Sequence, residues 1–327
     1  MILTRTPFRI PLGGGGTDLP AFYQKHGGFL FSTAIDKFMY VGINQSSAEN
    51  LIRVTHSDAE IANSLEEVKH DLAREAMKYM GEGLGLEIIS FADMPAGTGL
   101  GSSVSYLIGL LKAFHRKQKK DIDPQVLAEM AFHIETEIIK NPVGKQDQYL
   151  AAFGGFVCMD IGKDGKVKVI QPKFSEGLLL DLSKKALMFY TFKRHDTRAI
   201  LRDQQNSATI SGGDTEKAML KIKDIGKQLF SEFSSGKAEN FGKLMHEHWT
   251  VKKTISGKMS DPWLDEVYNM ALQNGAEGGK IMGSGGGGCF LFFVPDNQAK
   301  FIGAMEKQGL KHIPYTFWPT GSEVIFE

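Results

Sequence analysis

An α+β chain of two domains is what the sequence predicts, and three observations predict it. At 327 residues the chain is long enough for two domains of about 150 residues each. Hydrophobic residues make up 42%, enough for a real core. Strand and helix patterns alternate irregularly, without the regular strand-helix-strand rhythm of a doubly wound parallel sheet.

The elements follow in order. Residues 38–44 and 51–55 have the β-branched and aromatic content of strands. Residues 66–80 repeat apolar positions at helical spacing through Val68, Leu72, Ala76 and Tyr79. A strand over 86–91 leads into a helix over 102–117, whose apolar face is Val104, Leu107, Ile108, Leu111 and Phe114. Asp123 and Pro124 form a cap and first-turn pair opening a helix over 124–139. A short helix over 148–153 turns into a strand over 154–160. In the second half, 186–192 and 289–294 read as buried strands. Helical patterns cover 197–209, 215–235, 237–255, 262–274 and 297–308, and 312–326 closes with one or two strands. The boundary lies around 165–180, which divides the chain into 1–175 and 176–327.

Bulk properties exclude several classes. Thirty-eight basic residues balance thirty-eight acidic ones, so no basic face announces nucleic acid. No run of eighteen apolar residues exists to span a membrane. The first residues lack the apolar core of a secretory signal, and the expected location is the cytoplasm. Two cysteines, Cys158 and Cys289, make neither a disulfide framework nor a metal cluster. His246 and His248 stand two apart on a helical pattern and point to different faces, which is not zinc-ligand spacing.

The 37 glycines are informative by placement, clustering at 13–16, 97–101 and 283–288. The middle cluster reads Pro95-Ala96-Gly97-Thr98-Gly99-Leu100-Gly101-Ser102-Ser103, between a strand and a helix. Glycines let the backbone turn and approach a ligand closely, and free N–H groups at a helix start attract anions. The spacing matches neither a Walker A loop nor a dinucleotide fingerprint. Taken alone, it is equally what a tight strand-to-helix turn requires.

Together with two other motifs, this segment resembles the phosphate loop of the GHMP kinases, the superfamily of galactokinase, homoserine kinase, mevalonate kinase and phosphomevalonate kinase. Thr6-Pro7-Phe8-Arg9-Ile10 with Gly15-Gly16-Thr17-Asp18 resembles the family's first motif. Gly283-Ser284-Gly285-Gly286-Gly287-Gly288-Cys289 before a strand resembles its third. Gly144-Lys145-Gln146-Asp147-Gln148-Tyr149, Phe153-Gly154-Gly155 and residues 189–205 are similar to the branch that phosphorylates D-glycero-D-manno-heptose 7-phosphate, and to fucokinases. Galactokinase carries Glu-His before Thr-Asp, and this chain does not.

The resemblance implies an N-terminal domain like the second domain of ribosomal protein S5 and a ferredoxin-like C-terminal domain, with the site between them. It implies ATP and Mg2+ as cofactors and a small sugar phosphate as partner, and leaves a homodimer open. Asp147 is the implied base and Arg9 the cation near the transferred group. Pro95, Gly97, Thr98, Gly99, Leu100, Gly101, Ser102 and Ser103 are the implied nucleotide contacts. Ser103 and Glu135 are the implied Mg2+ ligands, with Glu137 facing elsewhere. Gly15, Gly16, Thr17 and Asp18 would meet the sugar. A sugar phosphate needs cations, and Arg194, His195 and Arg198 in the dense cationic stretch 193–202, or Lys145, would supply them. The implied reaction is transfer to the anomeric hydroxyl, giving a 1,7-bisphosphate. The alternatives are another sugar 1-kinase, such as a fucokinase, or a non-catalytic nucleotide or sugar sensor of the same fold. Asp147, Asp18 and Arg9 also have plainer readings as a helix cap, a turn residue and a surface cation.

Overall fold

The computed structural model describes residues 1–193, residue 200 and residues 213–327. The first half is built on one large sheet. Its central strands are β1 (Ile2–Gly13) and β2 (Gly28–Gln45), joined through a short helix α1 (Pro20–His26). β2 is long enough to serve two neighbours on the same side. Its first half pairs with β6 (Phe156–Ile161), and its second half with β5 (Leu86–Ala92). β3 (Ile52–Thr55), β4 (Ala59–Ala62) and β7 (Val167–Ile170) extend the two wings. The helices α2 (Asp71–Met80), α3 (Ser102–Lys117), α4 (Pro124–His133) and α5 (Gln146–Phe153) accompany this sheet. Phe8, Ile10, Leu12, Leu107, Leu110 and Phe114 lie at its core.

The β1 strand was not among the expected elements, and its two prolines each remove a ladder donor. The structure shows how the sheet accommodates them. Register shifts against β2 fall between Pro7 and Phe8 and between Pro11 and Gly13, so the missing N–H groups sit at irregularities. Arg9 lies between these shifts, and its N–H donates to Leu100 O at 3.1 Å. Bulges beside sites commonly re-aim a side chain in this way.

The second half is a four-stranded antiparallel sheet. Its strands are β8 (Ala186–Tyr190), β9 (Gly278–Ile281), β10 (Cys289–Phe293) and β11 (Lys311–Ile313), in the order β11-β8-β10-β9. In chain order that is 4-1-3-2, with helices in the β8–β9 and β10–β11 connections, which is the ferredoxin-like arrangement expected. The helices of this half are α6 (Glu176–Lys185), α7 (Asp214–Ser234), α8 (Phe241–Lys253), α9 (Pro262–Gln273) and α10 (Gln298–Lys307). Phe189, Trp249, Tyr268, Phe290, Phe292 and Phe301 form its own core.

The chain then returns to the first sheet. Trp318 N–H donates to Ala34 O at 3.0 Å, and β12 (Glu323–Phe326) pairs with β1. Arg5 fastens this tail by donating to Glu323 and lying over the ring of Trp318, 4.7 Å from its centroid. The predicted helix over 124–139 is in fact α4 followed by a π-helical turn over Ile134–Ile138. The predicted helix over 197–209 falls almost wholly outside the described residues.

Candidate active site

Between the two halves lies a cleft of about 400 Å³. Its N-terminal wall begins with the turn from β5 to α3. Gly101 precedes α3 at φ +84°, and no side chain caps the helix. Ser102 therefore opens the helix and does not cap it, so the first N–H groups of α3 are left without a side-chain cap. Gly97, Gly99, Gly101, Ser102 and Ser103 line the cleft. Pro95 is exposed and outside the lining, while Thr98 and Leu100 are fully buried beneath it.

The third glycine cluster supports this turn from behind. Cys289 N–H donates to Thr98 O at 3.0 Å, and Gly286 N–H to Met259 O at 2.8 Å. A Cβ on Gly99 would stand 2.4 Å from Met282 O, and φ there is +74°, so only glycine fits. Cys289 is fully buried, and burial pushes its thiol up to about 12. It is a packing residue and not a nucleophile.

Arg9 and Asp147 form the centre of the cleft. Arg9 Nε donates to Asp147 Oδ1 and Nη2 to Oδ2, both at 2.7 Å, a bidentate fork. Arg9 Nη1 donates to Gly99 O, which ties the cation to the phosphate loop. A Cβ on Gly101 would lie 3.3 Å from Asp147 Oδ2, so the carboxylate stands at the start of α3. Asp147 sits in the first turn of α5 with its side chain 24% exposed, within reach of a ligand in the cleft. It does not cap α5; the cap position is Lys145.

Asp18 is the second carboxylate of the cleft, 5% exposed. Its Oδ2 accepts Gln146 N–H at 2.9 Å and its Oδ1 accepts Gly16 N–H at 3.2 Å. Burial and the nearby Asp147 charge raise its pKa, against the lowering by those N–H groups. A Cβ on Gly144 would stand 2.0 Å from Asp18 Oδ2, which makes glycine the residue that lets the two segments meet. Gly15 and Gly16 line the same region.

Two of the expected sugar-phosphate contacts are turned elsewhere. The Thr17 hydroxyl faces the carbonyls of Gly14 (2.7 Å) and Phe29 (2.9 Å) and accepts Phe29 N–H, so it locks the loop and does not line the cleft. Lys145 Nζ pairs with Glu129 at 2.5 Å and lies over Phe132, also away from the cleft. Arg194, His195 and Arg198 lie outside the described residues.

For a magnesium ion the relevant groups are oxygens. Glu135, 2% exposed on the π-helical turn, faces the cleft, and Ser103 faces it from α3. Gln148 donates to Glu135 Oε2 at 2.6 Å, and its own buried Oε1 has no partner among the described residues. An oxygen-only donor set of this kind suits a hard divalent cation. Glu137 is exposed and pairs with Lys140, as its spacing from Glu135 implied.

The C-terminal wall carries groups that the sequence reading did not assign as site residues. His248 and Lys252 on α8 and Lys280 on β9 all face the cleft and are 1%, 6% and 2% exposed. Burial, aided by the other cations, holds Lys252 down at about 8 and pushes Lys280 and His248 well below their ordinary values. The i, i+4 spacing of His248 and Lys252 was the available signal, since it puts both on one helix face.

A helix start opened by glycines and a fixed cation on a carboxylate are parts that a phosphoryl-transfer site uses. The family models agree. The GHMP kinases N terminal domain matches residues 67–155 and the GHMP kinases C terminal matches residues 229–311. The chain belongs to the GHMP kinase family and is an ATP-dependent kinase. It is 26% identical over 319 residues to a D-glycero-alpha-D-manno-heptose 7-phosphate kinase of Campylobacter jejuni, covering 94% of each chain. A solved D-glycero-D-manno-heptose 1-phosphate kinase from Bacteroides thetaiotaomicron superposes with a TM-score of 0.82 at 22% identity, over 100% of this chain and 99% of that one. A solved Campylobacter jejuni protein assigned as a sugar kinase superposes with a TM-score of 0.78 at 25% identity, over 99% of this chain and 97% of that one.

Proposed function

We propose that this protein transfers the γ-phosphoryl group of ATP to the anomeric hydroxyl of D-glycero-D-manno-heptose 7-phosphate, giving the 1,7-bisphosphate. The observation that carries the reading is the convergence of Arg9, Asp147 and Asp18 beneath the opening of α3. The relative with the matching name spans nearly the whole chain, which supports the substrate class.

In this reading the N-terminus of α3 and the hydroxyls of Ser102 and Ser103 hold the triphosphate. The bidentate fork from Arg9 leaves Asp147 with lone pairs for the acceptor hydroxyl proton and fixes its direction. A carboxylate aimed in this way is a general base. Arg9 also sets positive charge where negative charge develops on the transferred group. Asp18, held by two N–H groups, orients sugar hydroxyls. Glu135 and Ser103 would hold Mg2+, which neutralises phosphate charge when bound. The proposed division into 1–175 and 176–327 assigns the nucleotide side to the first part and the opposite wall to the second.

ADP release tests this with ATP and magnesium against heptose 7-phosphate, free heptose, fucose, mannose 6-phosphate, galactose and mevalonate. Turnover with heptose 7-phosphate above all others is expected. Preference for a free sugar overturns the acceptor. Silence on every sugar with ATP still bound supports a sensor of the same fold.

A further inference from the structure

The C-terminal wall holds more positive charge than its protein partners use. Lys252 Nζ donates to Gly283 O and Lys280 Nζ to Leu12 O at 2.8 Å. An ammonium has three N–H donors, so each lysine keeps two unspent. Among the described residues neither is in ion-pair contact with a carboxylate. His248 is buried beside them, and among the described residues both its ring nitrogens are unpartnered. Buried ammonium groups held only by backbone carbonyls are costly unless an anion joins them.

The nucleotide has its own cradle at α3. Arg9 directs three of its five N–H donors to Asp147 and Gly99 O, and its charge is already matched by Asp147. The lysines instead adjoin the acceptor loop. Lys280 holds the carbonyl of Leu12, just before Gly13–Gly16, and Lys252 senses the charge of Asp18.

We infer that His248, Lys252 and Lys280 form the subsite for the acceptor's own, non-reacting phosphate. The inference rests on the proposed sugar phosphate acceptor and assigns that phosphate its contacts. A phosphate monoester brings three terminal oxygens and about two charges, which matches four unspent ammonium donors and one imidazole N–H.

The subsite has a proton signature. The titratable and charged groups around Lys252 are His248 one turn away on α8, Lys280 from β9, Arg9 from β1 and Asp18 from the following loop. Burial and Arg9 hold Lys252 near 8, and a bound dianion would raise it again. Binding of the phosphorylated sugar therefore takes up a proton at alkaline pH and weakens as pH rises beyond about 8.

Calorimetric titration with heptose 7-phosphate and with free heptose, on folded wild-type, Lys252→Gln and Lys252→Arg proteins, reads the preference for phosphate directly. Wild type is expected to favour the phosphorylated sugar. Lys252→Gln should shrink that preference about 10–100-fold, and Lys252→Arg should keep most of it. The wild-type preference should also fall between pH 7 and pH 9.5. An unchanged preference in Lys252→Gln overturns the subsite. So does an equal loss of ATP affinity with the preference intact, which would give the wall to the nucleotide. If wild type turns over heptose 7-phosphate while either result appears, only the subsite has failed. If wild type neither binds nor turns over heptose 7-phosphate, the acceptor reading has failed and the subsite with it.

Discussion

The two walls of the cleft both carry cations, and they treat them in opposite ways. On the N-terminal wall Arg9 is matched by Asp147 through two hydrogen bonds of 2.7 Å. On the C-terminal wall Lys252 and Lys280, among the described residues, meet only backbone carbonyls. A matched cation holds a fixed direction whether or not ligand is present. An unmatched buried cation waits for a ligand, and its cost is carried by the empty protein. The first suits chemistry, where direction matters most. The second suits recognition, where the incoming charge supplies the partner.

The comparison can be broken in three places. The largest effect is expected from Asp147→Asn, which keeps the shape and removes the base. Turnover should fall about 10²–10⁴-fold while ATP binding persists, measured by single-turnover kinetics and nucleotide titration. Undiminished turnover would remove Asp147 from the base role. A smaller effect is expected from Gly99→Ala. Its Cβ would collide with Met282 O in a left-handed backbone conformation, so the two glycine clusters must part. About 1–3 kcal/mol of local strain is expected, seen as ATP affinity weakened about 5- to 150-fold.

The smallest effect has the opposite sign. Lys252→Met should stabilise the unliganded protein while weakening its grip on phosphorylated sugar, a trade between stability and function. The lysine titrates at about 8 in the fold and at 10.5 ordinarily, so its charge costs about 3 kcal/mol below pH 8. Loss of the bond to Gly283 O offsets about 1 kcal/mol of the gain. Because the folded value is depressed, the cost is full below pH 8 and disappears as pH approaches 10.5. Urea unfolding at pH 7 and pH 10 should show the variant's advantage at the lower pH only. An equal advantage at both would mean that packing, and not charge, is responsible.

The first wall was legible in the sequence because its parts are motifs. Arg9, Asp18, the glycines of 97–101 and Asp147 stand in short runs whose residue types are tied to backbone shape. The strand that carries Arg9 was hidden, since Pro7 and Pro11 look like strand breakers and only the register shows them at irregularities. Thr17 by its motif and Lys145 by its charge look like ligand residues, yet Thr17 closes its own loop and Lys145 answers Glu129. Such local pairing depends on tertiary placement and leaves no trace in spacing. The second wall was only faintly legible, for a similar reason. His248 and Lys252 share a helix face, but a lysine on a helix ordinarily points to water. Only the packing of α8 against β9 buries it beside Lys280. The ferredoxin-like order of the second sheet followed from the family resemblance and not from strand patterns, as the glycine-rich β9 carries no strand signature.

The most direct test of the proposed reaction is the position of the new phosphate. Phosphorus and proton NMR of the product from heptose 7-phosphate and ATP should show a second phosphomonoester coupled to the anomeric proton, with the original phosphate retained. A new phosphate on any other carbon, or none, would contradict the account.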